Sequence, residues 1–286
     1  MMETTSEKPA HPTTEQERRA RVIETEVYPL LGDRLADLLT RGDGGPREGD
    51  VLQIGCGLGA TTSHLLQRMK SGGRIMVVEA SEALLDRARS KVPAEYQNRQ
   101  ARFRAASVHL ALPFHDAEFD AVVANVPLSD LPDPGVLLAE FKRVLKPKGT
   151  LHLATVLEGS WREFLDIFSD VLHRLRYQAM SDALLAYARS FPDAELFACQ
   201  LETMGFAKVA VETSRIELVF RSAREFFYSP VIELGPLSRW KAIAGKGAAM
   251  QDVMFAVKEA IDVYFGERPF PVGVYAGHFT GEKSEE

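Results

Sequence analysis

The segment Gly55-Cys56-Gly57-Leu58-Gly59 separates an apolar run, VLQI at 51–54, from helix-forming residues that begin at Ala60. Glycine at alternate positions permits positive φ and lets a ligand come close to bare backbone. A helix that starts directly afterwards offers unpaired N–H groups to a carboxylate or a phosphate. Glu79 closes the next apolar run, twenty residues beyond Gly59. A carboxylate at that point can accept both hydroxyl hydrogens of a ribose. Together the loop and the acid point to an adenosine-containing cofactor lying across the carboxyl edge of a sheet. The spacing is G-x-G-x-G, whereas a nicotinamide dinucleotide calls for G-x-G-x-x-G.

The surrounding pattern supplies such a sheet. Short apolar runs at 51–54, 75–79, 102–105, 119–124 and 150–156 read as strands. Helical spacing fills the gaps at 61–69, 82–90 and 133–145, the last with Asp133 as cap and Pro134 in the first turn. Strands alternating with helices imply a parallel sheet covered on both faces. Before it, apolar residues from Val22 to Leu39 recur at helical spacing. After it come helices at 161–177 and 193–204, then two strands, 208–211 and 216–220, around a turn at 212–215. Helical stretches near 222–243 and 249–265 and a return strand in 271–280 complete the chain. The expected organisation is a mobile tail at 1–20, a cofactor-binding core at 21–156, the rest of the sheet with a helical cap at 157–280, and a tail at 281–286.

Composition narrows the function classes. Of 286 residues, 45% are hydrophobic and 26% charged, as in a globular protein with a full core. A net charge of −6 argues against a large nucleic-acid footprint. Two cysteines, Cys56 and Cys199, are too few for a disulfide framework or a cysteine-rich zinc site, and no HExxH or close Cys/His set suggests a metal. The first twenty residues lack an apolar signal core, and no apolar run reaches the ~18–20 residues of a membrane span. A cytoplasmic location is the expectation, and oligomeric state is not readable.

VLQIGCGLG at 51–59, MVVEASEALLDRAR at 76–89 and LPFHDAEFDAVVANVPLSDLPDPGVLLAEFKRVLKPKGTL at 112–151 are similar to the class I S-adenosylmethionine-dependent methyltransferases. Among them the chain most resembles the quinone-biosynthesis C-methyltransferase-like group of small-molecule enzymes. The resemblance covers 25–156 strongly and the later half more loosely. It implies a doubly wound, mostly parallel Rossmann-like sheet with an antiparallel edge and a helical cap, S-adenosylmethionine as cofactor, and methyl transfer to a small molecule. It also implies a pose. Gly55, Cys56, Gly57 and Gly59 face the methionine portion, Glu79 holds the ribose, and Ala80 lies against the adenine. Ser107, Val108 and His109 line the adenine edge, and Asn125 and Leu128 lie beside the sulfonium.

Three residues depart from that group's pattern. Gln53 stands where an acid usually fixes the cofactor's ammonium, and Val108 stands where an Asp usually accepts from the adenine. Lys148 replaces a usual glycine. Gln53 and Val108 leave open a non-catalytic relative that acts as a partner or scaffold. Methyl transfer from a sulfonium is an in-line displacement that needs a base only when the acceptor must lose a proton. Candidates are His109, Asp130 and Tyr28, each of which also has a plain structural role available in a loop, a turn or a packed helix. Trp161, Phe226, Phe227, Tyr228 and Trp240 either line an apolar acceptor pocket or pack the cap's own core.

Overall fold

The computed structural model describes residues 13–41, 45–70, 72–97, 99–107 and 111–285. Seven strands form one sheet: β1 (Asp50–Ile54), β2 (Arg74–Glu79), β3 (Ala101–Ala105), β4 (Phe119–Asn125), β5 (Leu145–Val156), β6 (Phe206–Phe220) and β7 (Phe270–Lys283). Their spatial order is β3-β2-β1-β4-β5-β7-β6. The first five are parallel, and β7 is antiparallel to both β5 and β6. The expected Rossmann-like sheet with its antiparallel edge is therefore present.

The N-terminal helix α1 (Thr14–Val22) starts at a capping box on Thr13 and passes through a π-helical segment, Ile23–Gly32, into α2 (Asp33–Thr40). Helical structure thus begins inside the span expected to be a tail. Pro29, which has no N–H to donate, lies within the π-helical segment. Between the strands follow α3 (Ala60–Arg68), α4 (Glu82–Lys91) and α5 (Pro134–Val144).

The later helices are α6 (Arg162–Arg174), α7 (Gln178–Ala188), α8 (Ala194–Thr203), α9 (Ala223–Tyr228), α10 (Pro230–Glu233), α11 (Leu237–Ile243) and α12 (Gly247–Phe265). Strand alternation divides the packing. Leu52, Ile54, Val122 and Leu151 face α5 and α8, whereas Val51, Val77 and Val123 face α3 and α4. A third core joins α6, α7 and α9–α12 to β6 and β7.

Three further expectations need correction. Residues 206–220 form one strand with no turn at 212–215, because β7 pairs with it along almost its whole length. The helical stretch at 222–243 is three short helices, broken where Ser229-Pro230 and Gly235-Pro236 interrupt the ladder. The end of the chain is not a free tail from 281, since β7 runs to Lys283, which pairs with Phe206. The aromatic residues Trp161, Phe226 and Trp240 are buried in the cap's own core, where the rings of Phe164 and Trp240 lie 4.1 Å apart, while Tyr228 is 74% exposed. Lys148 takes φ +63, the left-handed conformation that a glycine would adopt freely.

Candidate functional site

The registers of the parallel strands bring the predicted residues into one row. Ile54 pairs with Val78 and Ala124, Glu79 with Ala105, and Asn125 with Ala154. Glu79, Gly55 and Asn125 therefore follow one another along the carboxyl edge, with Ala80 and Ser107 just beyond β2 and β3.

The glycine loop is fixed by close contacts. Gly55, Gly57 and Gly59 have φ of +71, +52 and +84. A Cβ on Gly55 would meet the Asn125 carbonyl oxygen at 2.2 Å, so a side chain there would push β1 away from β4. A Cβ on Gly59 would lie 3.0 Å from the Cα of Ala88 on α4.

Glu79 holds the loop from the other side. Its Oε2 accepts the Gly57 N–H at 3.1 Å and its Oε1 accepts the Ser81 N–H at 3.1 Å. Each oxygen keeps lone-pair capacity for a further donor, which suits a ribose diol. Burial pushes the Glu79 carboxyl above its ordinary pKa, against the pull of the Ser81, Gly57 and Ala80 N–H groups.

Gln53 lies beneath the loop and is 1% exposed. Its Oε1 accepts the Thr62 hydroxyl at 2.8 Å, tying β1 to α3. In this structure the amide supports the loop from inside the core. Cys56 is buried, and burial followed by the nearby Glu79 charge pushes its thiol far up, which keeps it protonated.

Tyr28 lies on the π-helical segment and covers the loop. A Cβ on Gly57 would be 3.2 Å from Cε2 of its ring. Burial raises its pKa to about 12, with the Asp33 and Cys56 charges adding to the rise and the Ala60 and Leu58 N–H groups opposing it. The phenol thus keeps its proton at neutral pH.

Asp130 sits on a short 3-10 turn, Leu128–Asp130, that follows β4. The turn is gripped twice. Thr155 Oγ1 accepts the Leu128 N–H at 3.2 Å, and Arg239 on α11 donates to the Ser129 and Asp130 carbonyls at 3.1 and 3.0 Å. The Asp130 side chain is 57% exposed, yet partial desolvation still pushes its pKa up, against Arg239.

Sequence reasoning missed Thr62, Thr155 and Arg239. Each acts through a partner brought close only by the fold, Arg239 lying 109 positions from Asp130. Val108 and His109 lie outside the described residues. His152 and His278 stack on one another on β5 and β7 with ring centroids 5.7 Å apart. Burial lowers both, His152 to about 4. Among the described residues no group of three or more His, Cys, Asp or Glu could hold a metal, and no helix is long and apolar enough to cross a membrane.

Comparison with known proteins gives this arrangement a context. The methyltransferase-domain family matches residues 52–153. A malonyl-[acyl-carrier protein] O-methyltransferase of Halorhodospira halophila is 32% identical over 152 residues, covering 51% of this chain and 48% of that protein. A 2-phytyl-1,4-naphtoquinone methyltransferase of Trichormus variabilis is 36% identical over 104 residues, covering 36% and 45%. The chain spans about half the length of these curated relatives. Among solved structures, a putative methyltransferase of Bacillus halodurans shares the fold with a TM-score of 0.54 at 16% identity, over 88% of this chain and all of that one.

Proposed function

We infer that this chain is an S-adenosylmethionine-dependent methyltransferase of the quinone-methyltransferase-like kind, which transfers a methyl group to a small, partly apolar molecule by in-line displacement; the match of residues 52–153 to the methyltransferase-domain family and the likeness to the named methyltransferases support this reading. The observation that carries this reading is the single row of glycine loop, Glu79 and Asn125 along the sheet edge. The naphtoquinone named for one relative has the partly apolar character we assign to the acceptor.

The residues present fit the cofactor. Glu79 keeps acceptor capacity for the ribose, and Gly55, Cys56, Gly57 and Gly59 leave backbone bare for the methionine portion. On this reading Ala80 and Ser107 lie on the adenine side, and Asn125 and Leu128 flank the sulfonium. S-adenosylmethionine, when bound, supplies a methyl group that is already activated. The protein's work is then alignment and exclusion of water. Gln53 and Thr62 stiffen the loop from below, while Thr155 and Arg239 fix the 128–130 turn. Where the acceptor must lose a proton, Asp130 on the turn after β4 is our candidate base.

The test is isothermal titration of the full chain with S-adenosylhomocysteine, beside a Glu79→Ala variant. Micromolar binding that the variant loses supports the site. No saturation of the wild-type protein at millimolar ligand sinks it.

A further inference from the structure

The sheet ends in a strand with one open side. β6 pairs with β7, and among the described residues no strand lies against its other side. Such an edge carries a row of unpaired backbone N–H and C=O groups, which proteins usually blunt with a bulge, lysine or proline. The start of β6 is blunted in this way. Its register to β7 shifts between Ala207 and Ala210, and Lys208, at φ +55, meets Glu282 at 2.8 Å. The remainder is left open. From Ala210 to Phe220 the register to β7 is unbroken, and the sequence AVETSRIELVF contains neither lysine nor proline.

The open stretch has two unlike faces. Ile216, Leu218 and Phe220 are buried in the cap core. On the opposite face Arg215 and Glu217 are half-exposed and meet at 3.3 Å, and Val219 is 55% exposed.

A second copy of the strand fits this edge in one register. Two identical strands pair antiparallel about a two-fold axis perpendicular to the sheet, so opposed residues share a face and the ladder centres on a residue. The stretch holds one base, Arg215, and two acids, Glu212 and Glu217. Glu212 lies on the other face from Arg215, because the side chains alternate. The register that opposes unlike charges therefore sets Arg215 against Glu217 of the second copy and centres on Ile216. Thr213 then meets Val219, and Ser214 meets Leu218. Centring on Arg215 or on Glu217 would instead set like charges face to face, which is unfavourable.

We propose that β6 pairs through residues 213–219 with β6 of a second copy, giving a two-fold dimer whose sheet is continuous through both. Each Arg215 then lies between the Glu217 of its own strand and that of the other copy. The parallel strands of the two copies run in opposite directions, so the two candidate sites open on opposite edges of the joint sheet. So short a ladder makes a small interface, and the dimer is expected to dissociate in the micromolar range. The proposal does not rest on the cofactor reading above.

The test is sedimentation of the full chain across the micromolar range, where wild type should show reversible dimerisation. Arg215→Glu and Glu217→Arg each set like charges opposite one another twice per dimer. Each should weaken self-association by about tenfold or more. Mixed in equal amounts, the two variants should pair with each other as wild type does, because every opposed pair is again unlike. Circular dichroism of each variant verifies that it folds. A wild-type protein that stays monomeric throughout overturns the proposal. A dimer that neither variant weakens also overturns it, since the contact then lies elsewhere, and so does a mixture of the two folded variants that stays monomeric.

Discussion

Replacing Gln53 by glutamate restores the acid that similar enzymes carry and tests what the amide does here. Gln53 is buried, and its oxygen is bonded to Thr62. Glutamate has nearly the same shape, and one oxygen keeps the Thr62 bond. The other replaces an NH2 group by a charge in the interior. Burial of this kind raises a carboxyl pKa by up to ~3–5 units, at ~1.36 kcal/mol each. Taking about three units, the ionised variant should be ~4 kcal/mol less stable than wild type. The sign follows from linkage. Below the ordinary value near ~4.3 the side chain is protonated both folded and unfolded, and the cost is absent. As pH rises the unfolded chain ionises first, and the deficit grows until the raised folded value is passed, then levels off. At ~2–4 °C per kcal/mol the plateau is a loss of roughly 8–16 °C in Tm. Scanning calorimetry of both proteins between about pH 5 and 8 reads it directly. If the cofactor's ammonium lies above this position, S-adenosylhomocysteine should raise the variant's Tm at high pH by more than it raises that of wild type. An equal deficit at both ends of the pH range would refute the burial argument, and absence of the extra rescue would refute the ammonium placement.

Three other outcomes are expected. Gly55→Ala should lose roughly 3 kcal/mol or more in urea unfolding, since left-handed strain of ~1–2 kcal/mol is joined by displacement of the Asn125 backbone. Gly247→Ala, at φ +58 with nothing within 4 Å, should lose only the strain, and equal losses would exclude the steric cause. Because burial raises the Glu79 pKa, S-adenosylhomocysteine affinity should begin to fall at a pH above the usual glutamate value as the solution is acidified; titration of Glu79→Gln should show weaker binding without that limb. Arg239→Ala should speed amide exchange at Asp130 and Leu131, whose N–H groups close the 128–130 turn, by about tenfold or more; unchanged exchange would mean the turn stands without Arg239.

The parallel half of the sheet was legible because its strands are buried on both faces. Runs such as VLQI and FDAVVA, stopped by glycine or polar residues, read as strands wherever they stand. The binding row was legible for the same reason, since a loop directly after β1 and an acid directly after β2 must both meet the carboxyl edge. The outer half resisted. β6 is an edge strand with much of its length exposed, so Thr213-Ser214-Arg215 looked like a turn although the ladder to β7 passes straight through it. α7 has a weak polar-to-apolar contrast along QAMSDALLAYA and gave no signal. The cap aromatics could be counted but not aimed, because the same rings serve a pocket or a core. No periodicity announces a π-helical turn.

The rigid and the movable parts of the site are held by different forces. The row of Gly55, Glu79 and Asn125 rests on parallel ladders and fully buried aliphatic side chains, which do not loosen without unfolding the sheet. The segments beside it are tied differently: Ile23–Gly32 by Glu24 on Arg87 and Lys91, the 128–130 turn by Arg239. The charged side chains of these ties are all partly exposed. Partly exposed ion pairs are worth ~0–1 kcal/mol, and ~0.1 M salt screens them beyond about 10 Å. Segments held this way can loosen without cost to the sheet beneath them. Amide exchange in Ile23–Gly32 should therefore respond to ionic strength far more than the melting temperature does, and the separation of the two responses follows from the division of labour between the ladders and the surface charges.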